Sequence, residues 1–125
     1  MGKHVLVIDD SESVRLHLSN LLQEAGHTVA TAIHGNDALA KLDGTKYNMI
    51  LCDVMMPELD GLQFVNAVKN SESYAGYRFV PIVMLTTIND ESKKFEGQTS
   101  GVKAWLVKPI VPELVLKAIE KLAKD

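Results

Sequence analysis

The segment MILCDVMMPELDG, residues 49–61, decides the fold because it leads from a buried strand into a charged turn. Its first four residues are apolar, which predicts a strand that is covered on both faces of a parallel sheet. The apolar run stops at Asp53, and an ionised carboxylate removed from water is costly unless it has a partner. The rest of the sequence is therefore expected to supply groups that offset the charge of Asp53.

The chain alternates short apolar runs with stretches in which apolar residues recur at helical spacing. The predicted strands are residues 5–8, 28–32, 49–52, 80–85 and 105–107. A helix is predicted after each strand; Asn89 begins the fourth helix, Gly101 ends it, and Pro112 begins the fifth. Residues 70–78 are predicted to form a polar connection. The order of strand then helix, five times over, predicts an α/β fold with a doubly wound parallel sheet in one domain that spans residues 1–125.

Composition and charge exclude several classes of protein. The chain has 125 residues, of which 46% are hydrophobic and 23% are charged, and this is ordinary for a globular domain. Its net charge of -3 argues against affinity for nucleic acid through phosphate contacts. Cys52 is the one cysteine, so no intrachain disulfide can form, and a reducing compartment is indicated. Because no apolar run suits a signal peptide or a membrane span, we expect a cytoplasmic protein without membrane insertion. We also expect a monomer.

Carboxylates follow the first and third predicted strands. Asp9 and Asp10 come directly after the first strand, and Asp53 ends the third. In a flavodoxin-like sheet of strand order 2-1-3-4-5 these strands are neighbours, and sites form beyond their carboxyl ends, where the winding reverses. Each pair of like charges at ~4 Å costs about 4 kcal/mol at an effective dielectric constant of about 20. Oxygen ligands with room for water suit Mg²⁺, so the cluster predicts a magnesium site.

The fourth and fifth strands bring a hydroxyl group and an ammonium group to the same edge of the sheet. The fourth strand ends at Thr86-Thr87 and the fifth at Lys108-Pro109. A cation and a hydroxyl donor stabilise the negative charge that develops on a phosphoryl group. A carboxylate can act as a nucleophile and form an acyl phosphate. Together with the acids, these groups predict phosphoryl transfer to Asp53.

Taken one at a time, the acids also have structural explanations. Asp10 could cap the helix that follows it, and Asp53 could begin a turn with Pro57. Asp60-Gly61 is a dipeptide that is common in turns. The coincidence of three acids at neighbouring strand ends favours the functional interpretation.

Taken in order along the chain, these motifs resemble those of a response-regulator receiver domain, over nearly the whole length. The motifs are Asp9-Asp10, Asp53 with Met56-Pro57 and Asp60-Gly61, Thr86, and Lys108-Pro109. The resemblance implies that Asp53 accepts a phosphoryl group from a phosphohistidine on a sensor histidine kinase. It implies that Asp10, Asp53 and the backbone carbonyl of Met55 bind Mg²⁺ directly. It further implies that Asp9 acts mostly through water and that the peptide bond before Pro109 is cis.

The same resemblance implies a limited catalytic role. Asp53, Thr86 and Lys108 are the expected catalytic residues, and the chain is not expected to be a conventional enzyme. It would catalyse its own Mg²⁺-dependent phosphorylation and a slow dephosphorylation. Two segments narrow the resemblance to chemotaxis regulators of the CheY type, namely FVPIVMLTT, residues 79–87, and GVKAWLVKP, residues 101–109.

In regulators of the CheY type, the aromatic residue at the position of Trp105 turns inward when Thr86 moves toward the phosphoryl group. The surface formed by the fourth helix, fifth strand and fifth helix then changes its affinity for a partner. Without the resemblance, Trp105 would be interpreted as a packing residue of an edge strand. The implied partners are the sensor kinase, the flagellar motor switch protein and a phosphatase. The alternative is an intermediate of a phosphorelay that passes its phosphoryl group to a histidine phosphotransfer protein.

Two positions, Ile110 and Ile88, depart from the family pattern, and two, Ile88 and Met55, bear on the lifetime of the phosphoryl group. Ile110 stands where phenylalanine is common after the Lys-Pro pair, and Ile88 stands two residues after Thr86, where chemotaxis members often have a polar residue. In receivers, this position and the one two residues after the phosphorylated Asp, here Met55, flank the approach of the hydrolytic water. Neither side chain can orient water by a strong hydrogen bond, so Met55 and Ile88 predict slow self-dephosphorylation.

Two enzyme or cofactor families share features of this pattern and fit it less well. A phosphatase of the haloacid-dehalogenase type needs Asp-x-Asp after the first strand, whereas Asp9 is followed two residues later by Ser11. A flavodoxin needs a phosphate-binding loop rich in Ser, Thr and Gly after that strand, and residues 10–13 do not provide one.

Overall fold

The sheet of the protein has five parallel strands in the order β2-β1-β3-β4-β5. They are β1 His4–Ile8, β2 Thr28–Ala32, β3 Met49–Asp53, β4 Ile82–Thr86 and β5 Ala104–Val107. The structure is a computed structural model that describes residues 2–56, 58–87 and 101–123. The strand order confirms the predicted flavodoxin-like, doubly wound α/β fold.

Helices cover both faces of this sheet. They are α1 Glu12–Glu24, α2 Gly35–Lys41, α3 Gly61–Asn70 and α4 Pro112–Leu122. The helix predicted between Asn89 and Gly101 lies outside the described residues, so α4 corresponds to the fifth predicted helix. Within the described ranges, no helix is long and apolar enough to cross a membrane.

The segment predicted as a polar connection forms a 3₁₀ helix at Glu72–Tyr77 instead. The hydroxyl of Ser71 accepts a hydrogen bond from the backbone N–H of Ser73 at 3.2 Å and caps its first turn. The buried Tyr77 ends it, and its hydroxyl donates to the carbonyl oxygen of Thr45 at 2.7 Å. The buried ring of Tyr77 and its satisfied hydroxyl anchor this stretch to the chain at Thr45.

Two hydrophobic clusters lie on opposite faces of the sheet, because successive side chains of a strand point to opposite sides. The cluster on the side of α2 and α3 includes Leu6, Ile8, Ala38, Ile50, Cys52, Phe64, Val65 and Met84. The cluster on the side of α1 and α4 includes Val5, Val7, Leu18, Leu22, Leu51, Val83, Leu85, Val115 and Ile119. The central strands are therefore buried on both faces, which explains their uninterrupted apolar runs.

Three connections leave the sheet at the same edge and carry the candidate functional groups. The backbone N–H groups of Asp9, Val54 and Lys108 each donate to a carbonyl of the neighbouring strand, at 3.1, 3.1 and 2.8 Å. These bonds extend the ladders by one residue beyond β1, β3 and β5. The ends of the three strands are consequently each fixed to a neighbouring strand at the carboxyl edge of the sheet, where sites of this fold form.

Candidate functional site

Three carboxylates converge at the carboxyl edge of the sheet. Asp9, Asp10 and Asp53 each offer an oxygen atom, and these atoms all lie within 4.8 Å of one another. Asp9 is 0% exposed and Asp53 is 5% exposed, whereas Asp10 lies on the surface. The cluster is thus a crevice with two buried acids at its base and one acid at its open side.

Asp9 is held through three of its atoms by the turn after β1, by α1 and by the lysine that follows β5. Its Oδ1 accepts a hydrogen bond from the backbone N–H of Ser11 at 2.9 Å, and its carbonyl oxygen accepts one from Nη1 of Arg15 at 2.7 Å. Its Oδ2 lies 2.9 Å from Nζ of Lys108. The N-cap of α1 is Ser11, whose hydroxyl accepts from the N–H of Val14, so the interpretation of Asp10 as the helix cap is wrong.

Lys108 bridges the two buried acids. Its ammonium nitrogen lies 2.9 Å from Oδ2 of Asp9 and 3.5 Å from Oδ2 of Asp53, and its side chain is 15% exposed. The other oxygen of Asp53, Oδ1, accepts a hydrogen bond from the backbone N–H of Met55 at 3.3 Å. The peptide bond between Lys108 and Pro109 is cis, as the family resemblance implies.

Burial and the neighbouring charge control the protonation of Asp53. Burial, followed by the charge of Asp9, raises the pKa of Asp53 from 3.8 to about 6, although Lys108 and the Met55 hydrogen bond oppose the change. Burial alone would lower the pKa of Lys108, but the hydrogen bond to Asp9 and the charges of both acids raise it. Asp9 has the shorter contact with Lys108, so the ammonium offsets the charge of Asp53 only in part. Lys108 thus supplies one positive charge against the two buried carboxylates.

The hydroxyl and aromatic residues predicted for the switch lie on the adjacent strands. Thr86 ends β4 and is buried, and it pairs in register with Val107 of β5. Trp105 lies in β5, where its half-buried ring packs against the cluster on the side of α2 and α3. This placement fits an edge-strand packing residue, and the switch role of Thr86 and Trp105 stays a prediction.

Comparisons with known proteins show the family of the chain. The sequence profile of the response regulator receiver domain matches residues 5–120. The chain belongs to this family. This receiver domain is 40% identical over 119 residues to protein PilG of Pseudomonas aeruginosa, and the alignment covers 95% of this chain and 86% of PilG. It is 29% identical over 125 residues to chemotaxis protein CheY of Thermotoga maritima, and that alignment covers 99% of this chain and 100% of CheY.

Solved structures of receiver domains superpose closely on the chain. The structure of chemotaxis protein CheY4 of Vibrio cholerae has a TM-score of 0.88 and 43% sequence identity, and the match covers 98% of this chain and 99% of CheY4. These similarities support a regulator of the CheY type. Receiver domains belong to two-component systems, in which they interact with histidine kinases and downstream effectors.

The segment that follows Asp53 in this receiver domain corrects a second structural interpretation. Asp60 is the N-cap of α3: its Oδ1 accepts from the N–H of Gln63 at 2.8 Å, and Oε1 of Gln63 accepts from the N–H of Asp60 at 2.9 Å. This reciprocal pair is a capping box, so Asp60-Gly61 begins a helix rather than forming an isolated turn. Pro57, from the Met-Pro motif, lies outside the described residues.

Two further predicted positions and one residue that the sequence did not indicate remain to be placed. The side chain of Met55 is 54% exposed, and Ile88 lies outside the described residues. Arg15 was missed, although its guanidinium holds the carbonyl of Asp9. A cation in the first turns of a helix that follows an acidic pair is the available signal, but such residues usually belong to a solvated face.

Proposed function

We propose that this receiver domain is a phosphorylation-controlled signalling module in which Asp53 is the phosphoacceptor. The observation that carries the proposal is the position of its carboxylate, with Oδ2 3.5 Å from Nζ of Lys108 and Oδ1 3.3 Å from the N–H of Met55. In the proposed reaction, a carboxylate oxygen forms the new bond to phosphorus as the bond to the kinase histidine breaks. Lys108 then offsets the charge of the phosphoryl oxygens, and the hydroxyl of Thr86 donates a hydrogen bond to one of them.

The donor set of the crevice suits Mg²⁺. Three carboxylate oxygens lie within 4.8 Å of one another, and the exposed Asp10 leaves room for water ligands, which a hard cation such as Mg²⁺ retains. Asp10, Asp53 and the carbonyl of Met55 would hold the ion directly, and Asp9 would act mostly through water. When bound, Mg²⁺ would neutralise charge on the transferred phosphoryl group.

Phosphorylation in solution tests the acceptor. Wild-type protein incubated with Mg²⁺ and acetyl phosphate is expected to gain one phosphoryl group, measured as intact mass. Asp53→Asn is expected to gain none, whereas Asp43→Asn, which changes an exposed acid, should be labelled like the wild type. Equal labelling of Asp53→Asn and wild type would refute the assignment.

We further propose that the output partner docks beside β5 and α4. Val107 and Leu114 are 54% and 50% exposed, and the adjoining groove is lined by Lys103, Lys117 and Lys121. An apolar surface with a basic rim suits a partner segment that carries apolar and acidic side chains. In chemotaxis this partner would be the flagellar motor switch protein, and the regulator would act as a cytoplasmic monomer.

A pull-down tests the output partner. Purified motor switch protein should be retained more strongly by the wild type with beryllofluoride, a mimic of the phosphoryl group, than without it, and Asp53→Asn should show no such difference. Equal retention in both conditions would reject the motor switch. If phosphorylated protein instead loses its label to a histidine phosphotransfer protein, the phosphorelay alternative is correct.

A further inference from the structure

Gly61, the first residue of α3, packs against the backbone at the end of the acceptor strand. A Cβ atom at this position would lie within 3.0 Å of the carbonyl oxygen of Asp53 and of the terminal methyl group of Met84, and 2.9 Å from Cα of Val54. Such separations are closer than Cβ atoms tolerate in real structures. The backbone N–H of Gly61 also donates to the carbonyl oxygen of Val54 at 3.0 Å, which draws the helix toward the strand.

Close approach, rather than backbone conformation, explains the glycine. Among the described residues, the glycines with positive φ are Gly26, Gly44 and Gly101, whereas Gly61 has ordinary helical geometry that any L-residue adopts. The requirement at this position is therefore the absence of a side chain. A methyl group there would force either the helix start or the end of β3 to move.

The helix start has little freedom to move. The capping box of Asp60 and Gln63 fixes the first turn of α3. On the other side of the connection, the first residue of α2, Gly35, is packed so closely that a Cβ atom there would lie 2.7 Å from the carbonyl oxygen of Leu59. The start of α3 is thus held by its own capping box and by the contact of Leu59 with α2, and a displacement would pass to the end of β3, where Asp53 lies.

We propose that Gly61 is a positioning residue for the Asp53 carboxylate. Its missing side chain allows α3 to pack on the carbonyl of Asp53, and this contact sets the distance of the acceptor oxygens from Lys108 and from Asp9. The proposal rests on the proposed role of Asp53 as phosphoacceptor. Gly61 touches no reacting atom; it acts through the backbone of Asp53.

The test compares Gly61→Ala with a matched substitution, Gly76→Ala. A Cβ atom at Gly76 meets nothing within 4 Å, so the control adds the same methyl group without a collision. Wild type and both variants are incubated with Mg²⁺ and acetyl phosphate, and the rate of phosphoryl uptake is followed by intact mass at several Mg²⁺ concentrations. We expect Gly61→Ala to react about tenfold more slowly or worse and to need more Mg²⁺ for its half-maximal rate, while Gly76→Ala matches the wild type.

A second variant separates positioning from general stability. Met84→Leu removes the terminal methyl group that the Cβ atom added by Gly61→Ala would meet, but leaves the carbonyl of Asp53 where it is. Added to Gly61→Ala, it is expected to raise the melting temperature measured by circular dichroism without restoring the rate of phosphoryl uptake. Recovery of both would overturn the proposal, because packing on Met84 would then be the cause. Failure of both variants to fold would also overturn it, since the glycine would then serve the fold as a whole.

The wild type separates this inference from the function on which it rests. A wild type that takes up no phosphoryl group would overturn the proposed function and the inference together. A wild type and a Gly61→Ala variant that are labelled at the same rate would overturn the positioning role alone.

Discussion

Replacing Asp53 by asparagine is expected to stabilise the folded protein at neutral pH, although it removes the proposed phosphoacceptor. Asp53 is 5% exposed, and burial together with the charge of Asp9 raises its pKa from 3.8 to about 6. One pKa unit corresponds to about 1.4 kcal/mol, so at neutral pH the ionised carboxylate costs the native state up to about 3 kcal/mol. Asparagine carries no charge, and its oxygen can still accept the hydrogen bond from the N–H of Met55.

The stabilisation has a defined pH window. An acid whose pKa is raised by folding binds its proton more tightly in the native state than in the unfolded state. For Asp53, the stability that this tighter proton binding gives the native state is fully present below pH 3.8 and has been lost once the pH has risen through about 6. Wild type and Asp53→Asn should therefore be similar in stability near pH 4, and the difference between their free energies of unfolding should grow as the pH rises toward about 6 and stay nearly constant above it.

Urea denaturation at several pH values, with EDTA present, measures the free energy of unfolding of both proteins. Asp43→Asn is the control, because a hydrogen bond from Thr45 lowers the pKa of this exposed acid and its removal should not stabilise the fold. Addition of Mg²⁺ should narrow this difference, since the ion binds the wild-type cluster better than the variant. The reasoning is refuted if Asp53→Asn is no more stable than the wild type at neutral pH, or if the difference does not change with pH.

Three further variants probe the metal, the lysine and the lifetime of the phosphoryl group. Asp10→Ala should weaken Mg²⁺ binding far more than Asp43→Ala, because only the former removes an oxygen of the cluster. The fluorescence of the one tryptophan follows the Mg²⁺ titration. Equal effects of the two substitutions would contradict the proposed site. Lys108→Ala should raise Mg²⁺ affinity by removing a cation from the crevice while impairing the response to beryllofluoride, and a variant that circular dichroism finds unfolded would contradict this role. Met55→Asn combined with Ile88→Glu should shorten the phosphoryl lifetime about tenfold, which needs about 1.4 kcal/mol in the barrier, because polar side chains can orient water. The rate of phosphoryl loss is followed by intact mass. If the double variant loses its phosphoryl group no faster than the wild type, Met55 and Ile88 do not shield that group from water.

The fold could be predicted because the central strands are buried on both faces and so appear as uninterrupted apolar runs. The main error was at the start of the fourth strand, predicted at Val80 and observed at Ile82. Pro81 has no N–H for the ladder, so the strand begins after it, although its carbonyl oxygen still accepts a hydrogen bond from Ile50 at 3.0 Å. The 3₁₀ helix was missed because its order comes from Tyr77, whose partner Thr45 is distant in sequence.

The convergence of the acids with Lys108 could also be predicted, since topology alone brings strand ends together. The pairing within the cluster could not. The contacts of 2.9 Å to Asp9 and 3.5 Å to Asp53 depend on side-chain geometry, and that geometry determines which acid remains under-neutralised. The contact of Gly61 with the backbone of Asp53 is similarly invisible in sequence, where a glycine after Asp60 has the appearance of an ordinary turn.

If Asp53 is the phosphoacceptor, the unequal pairing of Lys108 would let a buried charge serve a switch. In the unphosphorylated protein Lys108 is closer to Asp9, and the charge of Asp53 is balanced only in part, which is why its pKa is raised. A phosphoryl group on Asp53 would carry more negative charge and compete with Asp9 for the same ammonium group. Because Asp9 is 0% exposed, it cannot lose that partner to water and would need another cation, which a metal ion in the crevice can supply. The metal and the phosphoryl group are thus expected to favour the same rearrangement of Lys108.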